Sequence, residues 1–124
     1  MIINPKLINK YSTNEERIGT WIDGKPIYRK VVVLTSFSAG ETIVNHNISN
    51  IDKIINVSGF AYRRGGDYEI LPTIVPPNVQ SDFQISIYDI NDTRFRMYLG
   101  RYAVVANTAT VNMHIIFEYT KTTD

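Results

Sequence analysis

The segment Val111-Asn112-Met113-His114-Ile115-Ile116-Phe117-Glu118-Tyr119 decides the fold class, because it is the longest period-two run in the chain. Val111, Met113, Ile115, Phe117 and Tyr119 alternate with Asn112, His114, Ile116 and Glu118, and successive residues of an extended strand face opposite ways. The alternation predicts a long strand that ends in the polar tail Thr120–Asp124. Immediately upstream the same pattern recurs. Phe95, Met97 and Leu99 alternate with Arg94, Arg96 and Tyr98, and Phe83, Ile85 and Ile87 with Gln84, Ser86 and Tyr88. Asp89-Ile90-Asn91-Asp92 lies between these two runs as a turn.

Lys53 to Tyr62 reads as another long strand, with Ile55, Val57 and Gly59 on one face and Ile54, Asn56, Ser58 and Phe60 on the other. The loop Arg63-Arg64-Gly65-Gly66-Asp67 joins it to an extended segment at Tyr68–Pro72, and Pro72, Pro76 and Pro77 forbid a central strand beyond. In the first half, Trp21-Ile22-Asp23-Gly24-Lys25-Pro26-Ile27-Tyr28 carries Asp-Gly, the signal of a type I′ hairpin turn. Trp21 or Tyr28 is expected to pack on the sheet that the last strand completes. Pro26 marks an edge or the first residue of the second strand, which continues through the β-branched run to Thr35. Thr42–Ile48 is short and extended, and Ser49–Asp52 is turn-like. Ser12 with Glu15 three positions later is a capping-box pattern, and Gly19 limits any helix there to one or two turns.

These elements predict an all-β protein: a jelly-roll-like antiparallel β-sandwich of about seven or eight strands. A single domain is expected, with residues 1–16 as an N-terminal leader with a short capped turn and residues 17–124 as the sandwich. The chain has 124 residues, 44% hydrophobic and 20% charged, as in an ordinary globular domain. A net charge of +1 argues against a dedicated nucleic-acid binder. The absence of cysteine excludes disulfides and thiolate metal sites. No apolar run approaches a membrane-spanning helix, so no membrane insertion is expected. The first residues lack the apolar core of a signal peptide, so export would need another route, such as release by lysis.

Motifs for catalysis are missing. His46 and His114 have no neighbouring Ser or Cys in a nucleophile pattern. A structural hydrogen bond is expected for His46, and a solvated or hydrogen-bonded position on the polar face of the last strand for His114. Asp89–Asp92 lacks the glycine and the distant glutamate of a calcium loop. No phosphate loop or zinc spacing is present, and neither a cofactor nor a metal is expected. The suggestive feature is tyrosine beside polar groups. Tyr62, Arg63, Arg64, Asp67 and Tyr68 form the exposed recognition loop we select as a ligand-binding candidate. Tyrosines at strand edges serve equally well in subunit interfaces.

Three stretches then combine: Tyr11-Ser12-Thr13…Glu16, Gly19-Thr20-Trp21-Ile22-Asp23-Gly24-Lys25-Pro26-Ile27-Tyr28-Arg29-Lys30, and Glu118-Tyr119-Thr120-Lys121-Thr122-Thr123-Asp124. With Val44–Asp52 between them, they resemble the terminal domain of tail-fibre, head-fibre and related appendage proteins of bacteriophages and prophages. The resemblance spans nearly the whole chain, with specific ends and a variable middle. Asn47 stands where the family pattern has a glycine, and asparagine tolerates the left-handed conformation. The resemblance implies a non-enzymatic virion protein, assembled in the host cytoplasm and released by lysis. Its implied partners are two further copies in a homotrimer, other virion proteins, and a host-surface glycan or protein receptor. The alternative is a carbohydrate-binding module of a larger cell-wall or polysaccharide-active system.

Overall fold

Eight strands are present among the described residues, which are 11–66, 68–71, 85–104 and 109–123 of a computed structural model. In chain order they are β1 (Glu16–Thr20), β2 (Pro26–Leu34), β3 (Gly40–Asn45), β4 (Ile51–Arg63), β5 (Tyr68–Leu71), β6 (Ile85–Tyr88), β7 (Arg94–Leu99) and β8 (Thr110–Lys121). One sheet has the order β1-β2-β8-β4-β5 and the other β3-β7-β6, with every pairing antiparallel. The chain passes from β2 to the second sheet and back to β4. Its last strand then enters between those two, the winding of a jelly-roll-like sandwich.

The period-two pattern of β8 places this strand at the centre. Met113, Ile115, Phe117 and Tyr119 are each fully buried and face Phe95, Met97 and Leu99 of β7 and Ile85 and Ile87 of β6. Phe95 and Phe117 meet across the core with ring centres 5.6 Å apart. Each large side chain removed from water contributes about 1.5–3 kcal/mol, so these two facing rows hold the sheets together. Tyr28 of β2 stacks on Tyr119 at 6.1 Å, which is the packing expected of the hairpin.

Three local expectations need correction. The Asp23-Gly24 loop is not a type I′ turn, because only Gly24 has a positive φ, at 90°. It is a three-residue loop, closed by Trp21 N–H to the Lys25 carbonyl at 2.8 Å and Gly24 N–H to the Trp21 carbonyl at 2.9 Å. Ser12 starts no helix. Its Oγ accepts the Asn14 N–H at 3.0 Å, and the chain then enters β1 at Glu16, where pairing with Arg29 of β2 satisfies the backbone better than one isolated helical turn. In β4 an irregularity between Ile54 and Asn56 shifts the phase, so that Ile54 lies opposite Tyr119 and Asn56 opposite Glu118. After Gly100 the chain makes a short 3-10 turn at Arg101–Ala103. The leader segment 1–10, Phe83 and the proline-rich stretch 72–84 lie outside the described residues.

Candidate functional site

The stretches that carry the family resemblance converge on one corner of the sandwich. Lys25 Nζ donates to Asp52 Oδ2 and to the Lys121 carbonyl, both at 3.2 Å. Lys53 Nζ reaches the same Asp52 oxygen at 2.9 Å and Asp23 at 3.4 Å, and Thr120 Oγ1 donates to Asp52 at 3.1 Å. Hydrogen bonds from Lys53 and then Lys25 hold the Asp52 carboxyl down at about 2. Tyr119 donates its hydroxyl to Glu15 at 2.5 Å, and Lys121 Nζ donates to the same carboxylate at 3.0 Å. Burial, and then the Glu15 bond, pushes the Tyr119 phenol well up. Every member is answered by another member of the group, so this corner ties the hairpin, the start of β4 and the end of β8 together. It is architecture, and it offers a ligand little.

The outer face of the five-stranded sheet differs. Cross-strand register lines up Val31 with Ile116, Val33 with His114, and then Phe60 with His114 and Tyr62 with Tyr68. The His114 ring stacks on Phe60 at 4.9 Å and 17°, and Tyr68 meets Phe60 at 5.8 Å and Tyr62 at 5.0 Å. Tyr68 is 63% exposed and Val33 is 40% exposed. Gly59 makes the close stack possible. At φ +141° it lets β4 approach β8 so tightly that a Cβ there would lie 2.0 Å from the His114 carbonyl oxygen. At the opposite end of the face Arg29 is buried, pairs with Glu118 at 2.8 Å and lies 4.1 Å beneath the Tyr11 ring.

Of the selected recognition residues, the structure brings Tyr62 and Tyr68 together. Arg63 is half-buried, Arg64 is exposed in the adjoining turn, and the Arg64 N–H donates to the Ala109 carbonyl at 2.8 Å. Asp67 lies outside the described residues. Sequence reading missed Phe60 and His114 as members of the same cluster. The signal was present in the alternation of β4 and β8, but only their register places these two side by side. His114 is half-buried on this face: its Nδ1 is buried without a partner among the described residues, and its ring stacks on Phe60. His46 does fill its expected role. It is buried, its Nδ1 accepts the Ile48 N–H at 3.1 Å, and its Nε2 donates to the Asn91 carbonyl at 2.9 Å.

The outer face of the three-stranded sheet is ionic. Arg96 bridges Asp89 at 2.7 Å and Glu41 at 3.0 Å, Arg94 pairs with Asp89, and the Tyr88 hydroxyl donates to Glu41. That last bond holds the Glu41 carboxyl below its ordinary range, while burial and the same bond push the Tyr88 phenol up to about 12. Among the described residues no group of three or more His, Cys, Asp or Glu is arranged to hold a metal ion. No helix there is long and apolar enough to cross a membrane. Comparison with protein-family models, with curated proteins and with solved structures finds no match.

Proposed function

We propose that the chain is a non-enzymatic appendage domain of a phage virion, of fibre type. It assembles as a homotrimer and presents loops that contact the host surface. The observation that supports this reading is the apolar outer face of the five-stranded sheet, where Val33, Ile116, Phe60 and Tyr68 run across neighbouring strands. This face sets its aliphatic and aromatic groups among Asn56, Ser58 and Asn112, with the Arg29–Glu118 pair at one end, and such a mixture with enriched aromatic residues suits a subunit interface. The residues that carry the family resemblance form the corner that ties the sandwich together, as a shared architectural signature requires. Light scattering or sedimentation equilibrium tests the reading. A trimer is expected, and a strictly monomeric protein at high concentration sinks it.

The second reading, a carbohydrate-binding module of a larger polysaccharide-active system, is favoured by the Tyr62–Tyr68 pair beside exposed Arg64. Aromatic faces stack on the C–H faces of sugars while the phenol and guanidinium reach hydroxyl groups. A glycan array together with the neighbouring reading frames separates the two: glycan binding by a monomer, next to a carbohydrate-active enzyme, supports the module.

A further inference from the structure

At the far end of β4 from the aromatic cluster, a notch of about 780 Å³ opens between two loops. One is the connection from β3 to β4, residues 46–50, and the other is the β6–β7 turn around Asp92; Thr122, just beyond β8, completes the wall. The volume lies within the range of small-molecule sites. The 13-residue strand β4 spans roughly 40 Å, so the notch and the Tyr62–Tyr68 pair are independent regions.

The backbone of the notch is fixed from several sides. His46 Nδ1 accepts the Ile48 N–H and its Nε2 donates a hydrogen bond to the Asn91 carbonyl, joining the two loops through a buried side chain. Lys30 Nζ donates to the Asn47 carbonyl at 2.9 Å, and Thr122 N–H donates to the Asn50 carbonyl at 2.8 Å. Asn91 Oδ1 accepts both the Thr93 and the Arg94 N–H at 2.9 Å. Asn47 and Asn50 both adopt the left-handed conformation, at φ 58° and 57°.

Against this rigid frame, the side chains on the lining are unspent. The carboxamides of Asn45, Asn47 and Asn50 have no hydrogen bond among the described residues, and Asp92 has no ion pair there, although nearby Asp89 holds two arginines. Each carboxamide presents two donors and an acceptor, and a carboxylate accepts from two hydroxyls at once. Ile51 gives the lining an apolar surface. Among the described residues no Lys, Arg or His lines the notch, so they give phosphate and carboxylate ligands no counter-charge in it. A single carboxylate is far short of a calcium site.

We propose that this notch binds an uncharged sugar residue that presents adjacent hydroxyl groups. A hydroxyl both donates and accepts, as a carboxamide does; adjacent hydroxyls match the two oxygens of Asp92; and the C–H face of a pyranose fits against Ile51. Because both loops are fixed before a ligand arrives, little ordering cost is added on binding. The proposal does not rest on the virion reading, since a trimer and a monomer could equally carry such a notch.

The test is amide NMR titration of the whole chain with D-galactose, D-glucose, L-rhamnose and N-acetyl-D-glucosamine, each carried to about 50 mM, well beyond a dissociation constant near 1 mM. At least one sugar is expected to shift the amides of residues 45–51 and 91–93. Asp92→Ala should weaken binding about tenfold or more, and Asn50→Gly, which tolerates the left-handed backbone, should weaken it similarly. Tyr68→Ala at the other end of β4 should leave the affinity unchanged. The proposal is overturned if none of the four sugars shifts the notch amides. It is equally overturned if shifts confine themselves to Tyr62–Tyr68, or if the Asp92→Ala and Asn50→Gly double variant, folded by its spectrum, binds like the parent.

Discussion

The two outer faces of this sandwich have opposite chemistry, although both are built from the same alternating pattern. On the three-stranded sheet, Glu41, Arg96, Asp89, Arg94 and Tyr88 satisfy one another in a continuous ionic ladder. On the five-stranded sheet, Val33, Ile116, His114, Phe60 and Tyr68 leave apolar area and a buried imidazole nitrogen with no partner among the described residues. The first face is complete when water covers it. The second exposes apolar area at Val33 and Tyr68, which gains free energy when something apolar covers it. Polarity along a single strand does not reveal this contrast. It emerges when register sets His114 beside Phe60 on one sheet and Arg96 beside Ile43 on the other.

The largest effect expected in breaking this comparison comes from Gly59→Ala. The added methyl would collide with the His114 carbonyl at a backbone angle unfavourable to alanine, so β4 must part from β8. A loss of about 3–5 kcal/mol is expected in urea unfolding, with collapse of the aromatic face while the ionic ladder's residues are untouched. Phe60→Ala comes next. It removes the ring that stacks on His114 and Tyr68 and should cost about 1–2 kcal/mol, and under the trimer reading it should shift sedimentation towards monomer.

Acid then separates the ionic groups, on the three-stranded face and at the corner, from the aromatic cluster. Glu41 is held below its ordinary range by Tyr88, so its contribution is present above its ordinary value of 4.5 and is lost as pH falls through its lowered one. Asp52 behaves alike, with its contribution present above 3.8 and lost as pH falls towards about 2. Thermal midpoints measured from pH 7 to pH 2 should therefore fall less steeply in Glu41→Gln and Asp52→Asn than in the parent, whereas Phe60→Ala should run parallel to it. The smallest effect belongs to Ile43→Ala, a lone aliphatic side chain, 58% exposed, among the ions. Its unfolding free energy should change by no more than about 0.5 kcal/mol, with no change in sedimentation.

Much of the fold is legible in single residues. The alternation from Val111 to Tyr119 marks the central strand, Asp89–Asp92 marks the β6–β7 turn, and Asn47 takes the left-handed conformation its position demands. What is not legible depends on distant pairing. Ser12 and Glu15 carry a helix cap in sequence, but β2 offers Glu16 a strand partner from the other side of the hairpin. The phase of β4 changes at Ile55 because two residues there oppose one step of β8. For the candidate site, Tyr62 and Tyr68 could be picked out because a short loop joins them. Phe60 and His114, 54 positions apart in the sequence, become neighbours only through the β4–β8 register. The notch is harder still to foresee, since its residues look like ordinary turn formers until His46 draws the two loops together.

The position of β8 also sets the order of events in synthesis. Its partners β2 and β4 are made early, yet neither can complete its ladder until residues 110–121 have been translated. Until then two long strands lie with unpaired edges, the condition under which chains exchange strands or aggregate. Closure must bring together segments separated by most of residues 26–121, so folding should be slow and cannot finish before β8 has left the ribosome. A ribosome-bound chain halted before Thr110 should accordingly remain sensitive to protease, and one with residues through Lys121 clear of the ribosome should become resistant in a single cooperative step.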